Sequence, residues 1–150
     1  MGIWAGCEIP EELYYDVERD VWVRLHEDGE VTLGMTDAAQ TRAGKLAHIL
    51  IKKVGKHIER GRSAATVESA KWAGPLPSPL TGTVVANNAE SFRADVLVAN
   101  RDPYGEGWVV RLAPELWEDE SAHLVTGAEA VERYRERIRE MGIHCYRCEE

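Results

Sequence analysis

Two sets of residues in this 150-residue chain combine side-chain type and spacing in a way that suits chemistry. The first is Lys71, within Thr66-Val67-Glu68-Ser69-Ala70-Lys71-Trp72-Ala73-Gly74-Pro75. β-rich arms on both sides of a short polar tip place this lysine at the end of a hairpin. Its amine is expected to project away from the protein, within reach of a modifying enzyme. A lysine amine can be acylated where an arginine is not, and the chain holds five Lys against thirteen Arg. Glu68, Ser69, Ala70 and Trp72 flank the tip as candidate recognition residues; Glu68 and Ser69 would also serve simply to solvate the turn. The second set is Cys7, Cys145 and Cys148. The Cys-x-x-Cys spacing of the last two suits a redox pair. It is also half a zinc site, which Cys7 and His144 would complete if the termini met. A third reading is ordinary thiols on a frayed tail. Three cysteines do not form an extracellular disulfide framework, and in a reducing compartment most are expected as thiols. His26, His48, His57 and His123 lack ligand spacing. No catalytic residue and no metal site are expected.

Stepping outward from the tip, Leu13–Val23 mixes aromatic and β-branched residues and predicts one or two short strands. Asp28-Gly29 is a hairpin signal joining Val21–Leu25 to Val31–Met35. Thr36 is placed as an N-cap with Asp37 in the first turn, opening a short helix Asp37–Ala43 that stops at Gly44. From Leu46 to Arg111, short apolar runs alternate with Gly, Pro and Asn-Asn turn signals, the pattern of a compact β sandwich or barrel. Phe92–Asn100 is an exception, expected as a helical turn packing Val96 and Leu97 inward. Val131, Tyr134, Ile138 and Met141 fall at helical spacing and predict an amphipathic helix over about 127–141, ended by Gly142. The chain is expected to be mainly β (α+β) and a single domain over 1–150, with a core over about 13–112, that helix, and the Cys-x-x-Cys tail.

A hydrophobic content of 44% is enough for a core at this length. A net charge of -8 argues against nucleic-acid binding, which requires a basic surface, and suits docking onto basic partners. No apolar run approaches the roughly 20 residues that span a bilayer. Met1–Pro10 lacks the blocks of a signal peptide, so a cytoplasmic location away from the membrane is expected. Five Trp and five Tyr against one Phe favour rings with one apolar body and one polar edge.

The Lys71 segment Val67-Glu68-Ser69-Ala70-Lys71 resembles the attachment motif of the glycine cleavage system H proteins, which are lipoylated carriers. Three further segments match that family in order. Leu33-Gly34-Met35-Thr36-Asp37-Ala38-Ala39-Gln40 is similar to its Gly-Ile-Thr-Asp-x-Ala-Gln segment. Val54-Gly55 and Gly61 match its turn glycines, and Asn100-Arg101-Asp102-Pro103-Tyr104-Gly105-Glu106-Gly107-Trp108 its Asn-x-Asp-Pro-Tyr-Gly-x-Gly-Trp signature. The glycine of the Asp-Pro-Tyr-Gly turn is expected to adopt a positive φ. Biotin carriers normally set their lysine between two methionines, whereas Lys71 lies between Ala70 and Trp72. The resemblance implies a barrel-sandwich hybrid and lipoate amide-linked to Lys71. It also implies a swinging arm that turns encounters with successive partners into near-intramolecular events. No enzymatic activity of the chain's own is implied.

Departures from that family fall where partner recognition is expected. Trp72-Ala73-Gly74-Pro75 replaces a small residue followed by a Ser-Asp or Ser-Glu pair, Asp20 replaces a histidine in Asp20-Val21-Trp22-Val23, and Ala38 replaces a tyrosine. Cys7, Pro10-x-x-Leu13-Tyr14-Tyr15-Asp16, the Lys71-Trp72 pair and the cysteine-bearing tail resemble a sister group, the lipoate-binding proteins of the heterodisulfide-reductase-like sulfur-oxidation pathway. The expected function is therefore a lipoyl carrier shuttling sulfur intermediates. Its partners would be a lipoate-attaching ligase or transferase and the heterodisulfide-reductase-like complex. The alternatives are glycine cleavage, with glycine decarboxylase, aminomethyltransferase and lipoamide dehydrogenase as partners, and an unmodified scaffold or binding module.

Overall fold

The computed structural model describes residues 2–148. Its frame is an open antiparallel sheet of seven strands facing a smaller antiparallel sheet of three. The larger sheet contains β3 (Tyr14–Asp16), β4 (Val21–Leu25), β5 (Val31–Met35), β7 (His57–Ile58), β10 (Gly82–Asn87), β11 (Val110–Pro114) and β12 (Val125–Thr126). Their order across the sheet is β12-β3-β4-β5-β11-β10-β7. The smaller sheet places β8 (Ser63–Ser69) between β6 (Leu46–Ile51) and β9 (Ala73–Pro77). A two-stranded ribbon, β1 (Gly2–Trp4) with β2 (Cys7–Ile9), precedes both.

Strand alternation sorts the apolar residues into two cores. Successive side chains on a strand point to opposite faces. Val21 and Val23 of β4 therefore join Leu33, Val67, Leu76 and Leu112 between the two sheets. Trp22, between those valines, faces the other way. There it packs with Tyr104 and Tyr134 under α5 (Gly127–Met141), the C-terminal helix, and beside Cys7, Ile9 and Cys145. Both faces of β4 are thus covered, which explains why its first three residues, Val21, Trp22 and Val23, are all buried. The second core draws on residues before 13 and after 112, so the apolar interior extends well beyond the expected 13–112 segment. Each large side chain so buried contributes about 1.5–3 kcal/mol.

The helix signals hold in detail. Thr36 caps α1 (Asp37–Ala43), its hydroxyl accepting from the Ala39 amide at 3.1 Å, and Gly44 closes the helix at a φ of 78°. On α5, Tyr134 and Ile138 of the expected stripe are buried together with Ala130, while Val131 and Met141 are half-buried, and Gly142 ends the helix in the left-handed conformation. Two details differ from expectation. The segment after β10 forms two short helices, α2 (Ala89–Ala94) and α3 (Val98–Arg101), whose buried residues are Phe92, Val98, Ala99 and Asn100. Val96 and Leu97 fall at the junction between these helices and are only half-buried. Gly105 does not adopt a positive φ. A Cβ there would lie 2.5 Å from an Asp102 carboxylate oxygen, so a larger residue would have to displace that side chain.

Candidate functional site

Lys71 occupies the tip of the β8–β9 hairpin. The Ser69 amide donates to the Trp72 carbonyl at 2.8 Å, closing a loop whose two central residues are Ala70 and Lys71. The Ser69 hydroxyl pins this turn to the rest of the molecule, donating to the Ala43 carbonyl at 2.5 Å and accepting from the Trp72 amide at 3.2 Å. Ser69 is therefore an anchor of the hairpin tip rather than a freely solvated flank. Ala70, Lys71 and Glu68 are exposed.

The lysine stem does not simply stand away from the protein, as the hairpin pattern suggested. It crosses Gly44 at the end of α1, where a Cβ would sit 2.9 Å from Lys71 Cε and 3.7 Å from Cδ and Nζ. Trp72 is 43% exposed. Its indole folds back over Gly74, so that a Cβ on Gly74 would meet the ring at 2.7 Å. The ring thus packs on the hairpin at Gly74 while much of it stays open to solvent.

A cleft of about 180 Å³ lies beside the tip, between the hairpin, α1 and the β3–β4 turn. Trp72 forms one wall, Met35, Ala39 and Val67 supply apolar lining, and Arg19, Asp20 and Arg42 bring charge. Asp20 is buried and held in the left-handed region at a φ of 58°, which its ion pairs secure. It accepts from Arg42 at 2.8 Å, Arg137 at 3.3 Å and the Tyr134 hydroxyl at 3.2 Å. Sequence reasoning did not assign Asp20 or Arg42 to this site. The signal for Asp20 was its place where the resembled family carries a histidine. Arg42 offered none, because only folding brings it across from α1.

The Asn-x-Asp-Pro-Tyr-Gly segment is structural. Trp22 Nε1 donates to the Pro103 carbonyl at 2.9 Å. The Tyr104 hydroxyl accepts from the Asp37 amide at 2.9 Å and donates to the Glu8 carbonyl at 2.6 Å. Burial raises the Tyr104 phenol well above its ordinary range, keeping it the neutral donor this bridge needs.

The cysteines depart from the expectation that most of them are thiols. The termini do meet, but Cys145 forms a disulfide with Cys7, with a Cα–Cα distance of 4.8 Å, and Cys148 remains a free, half-buried thiol. The Cys145–Cys148 redox pair is therefore not formed. A zinc site built on Cys7 and His144 would need thiols that the disulfide consumes, and no cluster of three or more His, Cys, Asp or Glu side chains suited to a metal occurs among the described residues. Residue spacing carries no sign of this contact, which spans 138 residues and depends on α5 returning the tail to β2. The tail is not frayed, since the Cys145 amide donates to the Ala5 carbonyl and the Cys148 amide to the Asn100 carbonyl, both at 2.9 Å.

With this geometry in view, a family model described as glycine cleavage H-protein matches residues 13–137. The chain belongs to the glycine cleavage H-protein family. It is 46% identical over 142 residues to glycine cleavage system H protein 2 of Aquifex aeolicus, covering 95% of this chain and 88% of that one. A probable glycine cleavage system H protein 2 of Sulfolobus acidocaldarius is 44% identical, over 98% of this chain and 99% of its own. The crystal structure of a glycine cleavage system H protein from Mycobacterium marinum superposes with a TM-score of 0.70 at 27% identity, covering 84% of this chain and 98% of that chain. The two facing sheets are thus the barrel-sandwich fold of this family. Its members are non-catalytic carriers with lipoate attached covalently to a lysine, and this chain is a lipoyl carrier rather than an enzyme. No helix among the described residues is long and apolar enough to cross a membrane.

Proposed function

We propose that Lys71 is the lipoyl attachment site and that the protein, a single carrier domain, is a swinging-arm shuttle in the cytoplasm. The observation that carries this reading is the lysine at the end of a two-residue turn anchored through Ser69, exposed on one side of the tip while Trp72 lies on the other. A lipoyl group on that amine supplies a cyclic disulfide that opens to a dithiol at the end of a long tether. The chain's own residues fit such a group. Ser69 fixes the direction in which the arm leaves, Gly44 leaves room for the lysine stem, and the cleft beside Trp72 offers an apolar surface. Glu68, Ser69, Ala70 and Trp72 present the tip to a lipoate-attaching ligase or transferase. Intact-mass measurement and peptide mapping on protein from its native host test the assignment. One lipoyl increment on Lys71 is the expected result, and unmodified Lys71 in growing cells would overturn it.

For the cargo, we infer sulfur intermediates handed to a heterodisulfide-reductase-like complex. Support comes from the surroundings of the arm: Asp20 and its arginines at the cleft, Trp72 after the lysine, and a disulfide-stapled pair of termini outside the segment matched by the family model. Aquifex aeolicus has relatives numbered 2, 3 and 5, which suits a division of labour among such carriers. The glycine cleavage role is the second reading, favoured by the names of these relatives, with glycine decarboxylase, aminomethyltransferase and lipoamide dehydrogenase as partners. Purified lipoylated protein is offered in parallel to glycine cleavage components and to sulfur donors. Sulfur adducts with poor glycine turnover support the first reading, and efficient glycine turnover without adducts supports the second.

A further inference from the structure

The corner at Gly44, on which the Lys71 stem lies, is held from beneath by one buried side chain. Asn100 is 1% exposed and comes from α3, remote in sequence from both α1 and the hairpin. Its Oδ1 accepts from the Leu46 amide at 3.0 Å, and its Nδ2 donates to the Gly44 carbonyl at 2.8 Å and to Gln40 Oε1 at 3.1 Å. One amide thus grips the backbone before and after Lys45. Gly44 itself has φ 78° and ψ -168°, a conformation essentially confined to glycine.

Behind Asn100 lies the C-terminal tail. The Cys148 amide donates to the Asn100 carbonyl at 2.9 Å. Gln40 Nε2 donates to the Tyr146 carbonyl at 2.7 Å, and Arg147 pairs with Glu8 at 2.5 Å. The Cys7–Cys145 disulfide fastens this tail to β2. A continuous set of contacts therefore runs from the staple, through residues 146–148 and Gln40, to Asn100, Gly44 and the Lys71 stem.

We propose that Asn100 is a positioning residue for Lys71 and that the disulfide-stapled tail locks it in place. The inference rests on Lys71 being the attachment lysine. The Asn100 amide holds the Gly44 corner as a rest for the stem, so that the amine is presented in a restricted set of directions to an attaching enzyme. Opening the staple takes two electrons and two protons from a dithiol reductant. The S–S bond breaks to give Cys7 and Cys145 thiols, and the reductant's own two thiols close to a disulfide. The tail then holds Asn100 only through hydrogen bonds, and the rest becomes mobile.

The test uses the full-length unlipoylated chain, with Asn100→Asp and Cys7→Ser as variants. Asn100→Asp keeps the acceptor for Leu46 and loses the donor to both Gly44 and Gln40; Cys7→Ser opens the staple without touching the corner. Gly29→Ala and Cys148→Ser are comparators, the first at a positive-φ glycine with nothing within 4 Å and the second leaving the staple intact. Two quantities are read: the nuclear Overhauser contact between the Lys71 ε-protons and the Gly44 α-protons, and kcat and KM for attachment by a lipoate ligase. In both variants the contact weakens and kcat/KM falls: by at least roughly three- to tenfold in Asn100→Asp, the shift that losing one or more net hydrogen bonds permits, and by less in Cys7→Ser, which only loosens the tail behind Asn100. The comparators keep both, even where Gly29→Ala lowers the melting temperature as much. An unaltered contact and rate in Asn100→Asp and Cys7→Ser overturn the proposal. If the ligase leaves the wild-type chain unmodified while the contact still responds to the variants, the attachment reading fails and the positioning reading stands.

Discussion

Breaking the Cys7–Cys145 bond should lower stability by an amount set by how far apart the two residues lie in sequence. They are separated by 138 residues, so the bond closes nearly the whole chain into one loop. In the chain-entropy treatment a loop of that size restricts the unfolded ensemble by about 5 kcal/mol. Realised effects are smaller where the unfolded state keeps structure, giving an expected loss of about 2–5 kcal/mol. Apart from the loosened tail, the folded state contributes little to the loss on reduction: Cys7 and Cys145 are 1% and 4% exposed, and as thiols they remain small buried hydrophobes. A chain of this length unfolds with an entropy near ~0.3 kcal/mol/K, so Cys7→Ser should lower the melting temperature by about 6–16 °C. Thermal unfolding followed by circular dichroism, with and without a dithiol reductant, measures this directly. The reductant should bring wild type down toward the Cys7→Ser value, which the buried serine hydroxyl sets somewhat lower, and leave that variant unmoved, while Cys148→Ser should melt like wild type. Equal melting of oxidised wild type and Cys7→Ser would refute the entropic argument. A loss on Cys148→Ser as large as that on Cys7→Ser would mean that the staple uses the other tail cysteine.

Lys71→Arg should abolish lipoylation, seen by intact mass, while moving stability by less than about 0.5 kcal/mol in denaturant titration, since the side chain is exposed. Trp72→Ala should leave the fold intact but weaken ligase or partner docking, read as a rise in KM, because the exposed part of the indole is an apolar anchor; an unchanged KM would assign Trp72 to packing over Gly74 alone. Burial, foremost among the causes, raises the phenols of Tyr15, Tyr104 and Tyr134 above their ordinary value of 10.0. The unfolded chain therefore releases these protons near pH 10 while the folded chain retains them, so their stabilising contribution is complete below pH 10 and is lost as pH rises beyond it. Phenolate absorbance of these three residues should appear only together with unfolding, and Tyr104→Phe should lessen the alkaline slope.

Local structure was legible wherever neighbouring residues decide it. The Asp28-Gly29 turn, the Thr36 cap, the Gly44 stop and the α5 stripe are short-range, with backbone geometry and period set by a few adjacent side chains. The same applies to the β8–β9 tip, where β-rich arms and a short polar interval define a hairpin and place Lys71 on its turn. Gly105 shows the limit even at short range. Its type was expected to follow from φ, but what crowds it is the Asp102 carboxylate folded against it, a contact between side chain and backbone that turn statistics do not register.

The sequence by itself determined the family, the hairpin that carries Lys71 and the helix that closes the chain, because colinear motifs and periodicity are properties of order along the backbone. Tertiary structure alone decided what surrounds the lysine. Arg42 reaches Asp20 across 22 positions, Asn100 grips the Gly44 corner across 56, and Cys145 finds Cys7 across 138. Such contacts follow from how two sheets and a returning helix stack, and packing leaves no periodic trace in the residues it joins. The Cys-x-x-Cys tail shows the consequence. Nearness in sequence offered Cys148 as one possible partner of Cys145 and otherwise left free thiols, but the fold buries Cys145 beside Cys7 in the core beneath α5.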